Sequence, residues 1–333
     1  MRTALVTGGA GFIGSHLVDQ LLDGGVAVRV LDNLSTGSLA NLQAAAERNE
    51  GNGRMSSRGC LEVIIGDIRD RELLRKALRG VKYVFHLAAL PASGRLETES
   101  GEVHGVNVEG TLNVLHAALT EGVWRVVLGS CASVYGVPDS VPVDEGAPLR
   151  PTSLFAASKV AAETYCRAFY ARHQLDTVVL RYFTVYGPRQ RAAAGGVISA
   201  NLVEALRQGR PFVEQDDRSA EDFTYVDDAV AATLAAARAP RAAGRVINVG
   251  SGQMVAISDV LSILSQLVRV PVTTGFPRSL DTPVYRMCAE MTLASELLEF
   301  VPRVSLVAGL ARVVNALEGQ PERAALAPVG SDD

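Results

Sequence analysis

The sequence predicts a Rossmann-type α/β fold, a doubly wound parallel sheet with a smaller mixed α/β C-terminal lobe. Three observations carry this. Short β-branched runs alternate with longer helical patterns through the first half of the chain. The runs are apolar on both faces, as strands buried between two helix layers are. The first run ends in a glycine-rich turn that opens a helix.

Taken in order, Thr3–Thr7 reads as a strand and Phe12–Leu22 as a helix. Val26–Leu31, Leu61–Ile65, Tyr83–Leu87, Trp124–Leu128 and Thr177–Arg181 are further strands. Asp70–Leu78, Asn107–Thr120 and Leu154–His173 carry helical spacing between them. Glu47–Gly59 is polar and glycine-rich and reads as an exposed loop. Beyond about Tyr186 the rhythm loosens into helices near Val197–Gln208, Ile257–Val268 and Leu306–Leu317 and a strand near Val246–Val249. The predicted division is a dinucleotide-binding domain over 1–185, a substrate-binding lobe over 186–318 and a disordered tail over 319–333.

Composition narrows the function classes. The 333 residues suit one large domain and a smaller one, and 48% hydrophobic with 20% charged residues is ordinary for a globular chain. A net charge of −4 argues against nucleic acid as the main partner. No apolar run reaches membrane-spanning length, and the N-terminus reads as a strand rather than a signal peptide, so a cytoplasmic location is expected. Cys60, Cys131, Cys166 and Cys288 are scattered, as are the five histidines, so no metal site is expected.

The first turn, Gly8-Gly9-Ala10-Gly11-Phe12-Ile13-Gly14, spaces glycines at 8, 11 and 14. Such a turn brings backbone N–H groups at a helix N-terminus against a pyrophosphate. The second strand runs into Asp32, 18 residues after Gly14. A carboxylate there accepts from the adenine-ribose hydroxyls and repels a 2′-phosphate, which predicts NAD rather than NADP. Asp67, in GDIRD, is either an adenine contact or a helix cap.

GGAGFIGSHL, DNLSTG (Asp32–Gly37), GDIRD (Gly66–Asp70), HLAA (His86–Ala89), SVYG (Ser133–Gly136), AASK (Ala156–Lys159), RYFTVYGPRQ (Arg181–Gln190) and DFTYVDD (Asp222–Asp228) together resemble the extended short-chain dehydrogenase/reductase family. Within it the chain is similar to the nucleotide-sugar epimerase/dehydratase group and its UDP-hexose 4-epimerases, from about residue 2 to 317. The resemblance implies that Gly8, Gly11, Phe12, Ile13 and Gly14 hold the pyrophosphate. It places Asp32, Asn33, Ser35, Thr36 and Gly37 around the adenosine and Asp67 and Ile68 at the adenine. Leu87, Ala88 and Ala89 would line the middle of the cofactor, with Asn107 hydrogen-bonding nearby. Lys159 would reach the nicotinamide ribose and Tyr182 would pack by the ring. A homodimer built on Leu154–His173 and a nucleoside-diphosphate sugar substrate are implied as well.

The catalytic positions depart from the pattern. The family uses Ser or Thr with Tyr-x-x-x-Lys, in which the ammonium lowers the phenol so that it works as a base. Here Phe155 stands at the tyrosine position, four residues before Lys159, and Cys131 at that of the Ser or Thr. A thiol near Lys159 is expected to have its pKa lowered and to act as the acid or base, or to hold a water that does. The alternative is a small buried hydrophobe. Ala132 and Ser133 are an epimerase-like pair where dehydratases place Asp-Glu. On the substrate side, the two serines of the pattern are lost at Ala92 and Leu96, Thr184 replaces an Asn, and Glu221 replaces a diphosphate-binding Arg. Glu221 belongs with Asp216, Asp217 and Asp222 either to a solvated loop or to a site for a ligand of different charge. Ser93, Arg95, Thr184, Arg189 and Arg286 remain substrate-binding candidates, with Arg218 a further cation that could offset Glu221.

The expected activity is NAD-dependent epimerisation of an activated sugar through transient hydride transfer, with an altered acid/base set of Cys131 and Lys159. The alternatives are a dehydratase or oxidoreductase on an unusual secondary-metabolite sugar, and a catalytically lapsed NAD-binding protein.

Overall fold

In the computed structural model, residues 3–50, 60–91, 96–190, 219–269 and 285–318 are described. The chain begins β1 (Thr3–Thr7), α1 (Phe12–Asp23), β2 (Ala27–Asp32), α2 (Gln43–Glu50), β3 (Leu61–Ile65), α3 (Arg71–Leu78) and β4 (Tyr83–His86). It continues with α4 (Leu96–His104), α5 (Gly110–Thr120), β5 (Arg125–Cys131), α6 (Leu154–His173), β6 (Thr177–Tyr182) and β7 (Thr184–Tyr186). The remainder is β8 (Ala220–Tyr225), α7 (Val226–Arg238), β9 (Val246–Val249), β10 (Met254–Ala256), α8 (Ile257–Val268), β11 (Arg286–Met287), α9 (Thr292–Leu298) and α10 (Leu306–Glu318).

Seven parallel strands form the main sheet in the order β3-β2-β1-β4-β5-β6-β9. Side chains on a strand alternate between faces, and here both faces are apolar. On β1, Ala4 and Val6 enter one core, with Leu17, Leu21 and Ala229. Leu5, between them, enters the other, with Leu74, Leu115 and Phe169. β6 repeats the pattern, with Val178 and Leu180 on one face and Val179 on the other. The strand order reverses between β1 and β4, and the crevice beyond their C-terminal ends is where such sheets bind ligands.

A smaller sheet is built on β8, which pairs antiparallel with β10 and parallel with β7 and β11. β9 pairs with β6 in the main sheet, and Ala229, Val230 and Ala236 of α7 pack on that sheet. The chain therefore returns to the large domain after residue 186.

Most expected elements are present, several with the same ends. β5 extends to Cys131, beyond the expected end at Leu128. The expected helix Asn107–Thr120 is divided: one π turn at Gly105–Glu109 precedes α5. α2 takes the first residues of the expected loop Glu47–Gly59, and 51–59 lie outside the described residues. The expected helix near Val197–Gln208 and the tail 319–333 lie outside them too. α4, α7, β7, β8, β10, β11 and α9 add to the expected set.

His86, at the end of β4, ties three elements together. Its Nδ1 lies 2.7 Å from Thr7 Oγ1 and its Nε2 2.9 Å from Thr111 Oγ1. The Thr111 hydroxyl donates to the Asn107 carbonyl, so Nε2–H donates and Nδ1 accepts, a neutral imidazole. Complete burial, with Lys159 nearby, pushes its pKa down from about 6.5 to about 3. Between these values the unfolded chain binds a proton that the folded chain does not, so stability rises with pH there. The contribution is complete above about 6.5 and is lost as the pH falls. The urea midpoint should therefore drop on acidification from pH 7 to 4, with stability falling by roughly 1.4 kcal/mol per pH unit across that interval. His86→Gln, which does not titrate, should show a shallower decline. An unchanged slope would mean that His86 is not held neutral.

Candidate active site

A cleft of about 340 Å³ opens beyond β1 and β4. Gly8 sits at φ +72°, and a Cβ there would lie 2.6 Å from Ala88 N. A Cβ on Gly14 would lie 2.1 Å from Gly8 O. Only glycine allows this approach of β1, α1 and the segment after β4. Gly11 caps α1, so the first amides of that helix, unpartnered within it, face the cleft with Phe12 and Ile13. This cradle fits a dinucleotide pyrophosphate held on main-chain donors.

Asp32 is fixed from two sides. Its Oδ2 accepts from Ala10 N at 2.9 Å and its Oδ1 from Leu34 N at 2.8 Å. Each oxygen keeps further acceptor capacity, and Asp32 lines the cleft, so a ribose diol bound there can donate to it. Asp67 accepts from Asn33 Nδ2, Arg69 N and the Arg69 guanidinium, and the Arg69 hydrogen bonds hold its pKa down to about 2. Asp70, not Asp67, caps α3 by accepting from Leu73 N, and Asp67 lines the cleft. Asn33, Ser35, Thr36, Ile68, Leu87, Ala88 and Ala89 also line the cleft. Gly37 lies under the turn, where a Cβ would meet Ala10. Asn107 sits behind the wall: its Oδ1 accepts from Leu90 N, and its Nδ2 donates to Leu90 O and Ser158 Oγ. It clamps the segment after β4, with both polar ends used.

The same cleft continues to Gly129, Ser130 and Cys131 of β5, Phe155 and Lys159 of α6, and Tyr182. Ser153 caps α6 by accepting from Ala156 N and so fixes where Phe155 and Lys159 project. Lys159 is buried, and its Nζ donates to Gly129 O at 2.8 Å and lies 5.7 Å from the Phe155 ring centre. Burial lowers its pKa. The Tyr182 hydroxyl is 2.6 Å from Thr233 Oγ1, and Tyr182 lines the cleft.

The expectation of a lowered thiol at Cys131 is corrected. Burial raises its pKa, and this outweighs the hydrogen bond from Ser133 and the charge of Lys159. Cys131 is a protonated thiol at neutral pH, 2.7 Å from Ser133 Oγ. Beneath it lies a polar network that no sequence motif announces. Ser130 Oγ donates to Glu163 at 2.5 Å, Glu163 pairs with Arg181 at 2.6 Å, and Arg181 donates to the Tyr135 hydroxyl at 2.9 Å. The available signal is Glu163 itself, four residues after Lys159 on the same helix face.

On the substrate side, Ser93, Arg95, Asp216, Asp217 and Arg218 lie outside the described residues. The solvated-loop alternative is corrected for Glu221 and Asp222, which are buried on β8 at 6% and 1% exposure. Thr184 Oγ1 donates to Glu221 Oε2 at 2.5 Å. Asp222 accepts from Ser251, Gly252 and Ala289 and anchors two loops. Arg286 is exposed on β11. Arg189 lines the cleft in a left-handed backbone conformation (φ 70°), rare for a residue with a side chain. Its Nη2 pairs with Asp19 at 2.8 Å, whereas Nη1 and the neighbouring Gln190 Oε1 are buried without a hydrogen-bond partner among the described residues. Such groups suit a polar ligand that completes them.

A family model described as the NAD dependent epimerase/dehydratase family matches residues 4–250. The UDP-glucose 4-epimerase of Mycolicibacterium smegmatis is 35% identical over 319 residues, 94% of this chain and 97% of that protein. The UDP-glucuronic acid 4-epimerase of Bacillus cereus, solved with UDP-glucuronic acid and NAD, is 30% identical with a TM-score of 0.85, covering 96% of this chain and 99% of that one. The UDP-glucose 4-epimerase of Thermotoga maritima, solved with UDP-glucose, is also 30% identical, with a TM-score of 0.84, covering 96% and 100%. The family model, the sequence identity and the structural likeness lead to one conclusion: the chain belongs to the NAD-dependent epimerase/dehydratase family, the extended short-chain dehydrogenase/reductases whose cofactor is NAD.

Proposed function

We propose that the chain epimerises a nucleoside-diphosphate sugar, most simply a UDP-hexose, with an acid/base set that differs from the family pattern. The observation that carries this is one continuous cleft running from the glycine cradle to Cys131, Phe155 and Lys159. NAD, when bound, supplies a hydride acceptor that returns the hydride later. Gly8, Gly11 and Gly14 with Asp32 would hold its phosphates and adenosine, and Lys159 its nicotinamide ribose.

The protonated Cys131 thiol and the Ser133 hydroxyl are suited to donate to a sugar oxygen at the ring that reacts. Arg189 Nη1 and Gln190 Oε1 offer a donor and an acceptor to a polar group of the substrate. Phe155 carries no proton, so the base comes from elsewhere. A cytoplasmic homodimer is part of the reading: α6 leaves Leu154 and Tyr165 exposed, and among the described residues no helix is long and apolar enough to cross a membrane. Phe155 and the protonated thiol favour a second reading, a catalytically lapsed NAD-binding protein. Incubation with UDP-glucose, UDP-galactose, UDP-N-acetylglucosamine and UDP-glucuronic acid, followed by product NMR, separates the two. Epimer formation supports the enzyme, and no conversion of any of them supports the lapsed protein.

Two variants test the parts. Asp32→Gly should narrow the preference for NAD over NADP, measured by calorimetry, because the carboxylate no longer faces the 2′-phosphate. Equal binding of both dinucleotides by the wild-type chain would refute the role of Asp32.

Cys131→Ala should slow turnover by about 10- to 100-fold, the loss of one hydrogen bond that strengthens in the transition state. Cys131→Ser, which keeps a donor, should retain most of it. Loss in the serine variant equal to that in the alanine variant would instead indicate a thiolate.

A further inference from the structure

We propose that Lys159 is the acid–base group of this chain, its amine taking the sugar hydroxyl proton directly where Phe155 carries no phenol. This names the base that the epimerase reading leaves open, and it rests on that reading.

Among the described residues, the titratable side chains that line the cleft are Asp32, Asp67, Cys131, Lys159, Tyr182 and Arg189. Asp32 ends β2 and Asp67 follows β3, both at the adenosine end, and Asp67 is paired with Arg69. Arg189 keeps its proton at any working pH. Burial holds the Cys131 proton on sulfur. The Tyr182 hydroxyl is committed: Thr233 donates to the Ala229 carbonyl, so Tyr182 donates to Thr233 Oγ1, and burial raises its pKa. The Ser130 hydroxyl donates to Glu163. Lys159 is left at the catalytic end with a nitrogen that can accept a proton.

The geometry leaves that nitrogen room to act. Among the described residues its one hydrogen bond is to Gly129 O, at 2.8 Å. Glu163, one turn along α6, is taken by Arg181 and Ser130. The Phe155 ring centre stands 5.7 Å from Nζ and offers no oxygen. A lysine nitrogen has three positions beyond Cε. Gly129 uses one and the nicotinamide ribose, when present, a second. The third is open to a sugar hydroxyl, with no phenol at residue 155 to compete for it.

The titratable groups that face Nζ are Cys131 from β5, Glu163 and Cys166 from α6 itself and His86 from β4. Both thiols are pushed up and stay protonated at neutral pH, and His86 is neutral. The Glu163 charge is matched by Arg181 of β6, which also bonds to Tyr135. Burial therefore dominates and favours the uncharged amine over the ammonium.

The proton transfer balances on this one nitrogen. The sugar O–H bond breaks and its proton forms an N–H bond, turning the amine into an ammonium. The electron pair of the sugar C–H bond leaves as hydride to the oxidised nicotinamide. After the hydride returns to the other face, the ammonium gives the proton back to the sugar oxygen.

The test uses the NAD-holding chain and the UDP-hexose that the substrate panel identifies. Wild-type kcat should rise with pH as the amine forms, on a limb below the ordinary lysine value of 10.5. Competitive acetylation of the chain without NAD, read by peptide mass spectrometry across pH, should place Lys159 on that same limb. Lys159→Arg keeps the charge and the donors but has no base form, so kcat should fall by about 10²–10⁴-fold while calorimetry shows NAD still bound. Lys159→Ala should regain turnover with added methylamine or ethylamine, the more basic amine working better, and not with tetramethylammonium. Turnover by Lys159→Arg within a few-fold of wild type overturns the proposal and leaves the epimerase reading standing. So does acetylation of Lys159 that follows the exposed lysines, or equal rescue by tetramethylammonium. No turnover by the wild-type chain overturns both.

Discussion

The ion pair between Glu163 and Arg181 is the constraint on which the catalytic end of the cleft depends. Both side chains are almost fully buried, at 3% and 5% exposure, and their charged atoms meet at 2.6 Å. Desolvating two charges costs several kcal/mol each, and attraction compensates only when the remaining hydrogen-bonding capacity is also filled. Here it is filled. Ser130 donates to Glu163 from β5, and Arg181 donates to Tyr135 and to the Glu145 carbonyl. Tyr135 in turn donates to Asn248, which β9 carries. The pair thereby locks α6, β5, β6 and β9 into one register. Lys159 lies one turn from Glu163 on α6, and Cys131 is the neighbour of Ser130 on β5. Both positions are set by the pair beneath them.

The two halves of the site are legible in the sequence to different degrees, for a physical reason. The cofactor half is written in local signals. Gly8 and Gly14 are required by close backbone contacts, and Asp32 ends a strand whose hydrophobic pattern fixes its register. Such features need only a few consecutive residues. The deeper half is assembled from side chains far apart in sequence. Ser130, Glu163 and Arg181 come from three elements, and Thr184 meets Glu221 across the small sheet. No local spacing announces such contacts. α7 escapes a periodicity reading because VDDAVAATLAAAR is alanine-rich, so little contrast marks its buried stripe. β11 has only two residues and takes its strand character from pairing with β8.

The direction in which the Cys131 pKa moves shows how burial and charge compete. The sequence supplies the neighbouring cation but not the desolvation, because that depends on how the C-terminal lobe covers the site. Lys159 itself is buried, and that burial lowers its own pKa. Its ammonium protons are directed at the Gly129 carbonyl rather than at sulfur. The thiol therefore keeps its proton, and the site presents a donor where an isolated Cys–Lys pair would present a nucleophile.

Four of the six departures from the family pattern fall into two pairs: Cys131 and Phe155 line the cleft, and Thr184 bonds to Glu221. Cys131 ends β5, Phe155 lies in the first turn of α6, Thr184 starts β7 and Glu221 sits on β8. Drift after loss of function would tend to fill such positions with apolar side chains, because an unneeded buried carboxylate is costly to keep. Instead the Asn and Arg of the pattern give way to a Thr and a Glu that bond to each other, and Glu221 has interactions beyond Thr184. These two polar groups have been exchanged rather than removed, and each satisfies the other's hydrogen-bonding capacity, as a buried polar pair must to remain at low cost.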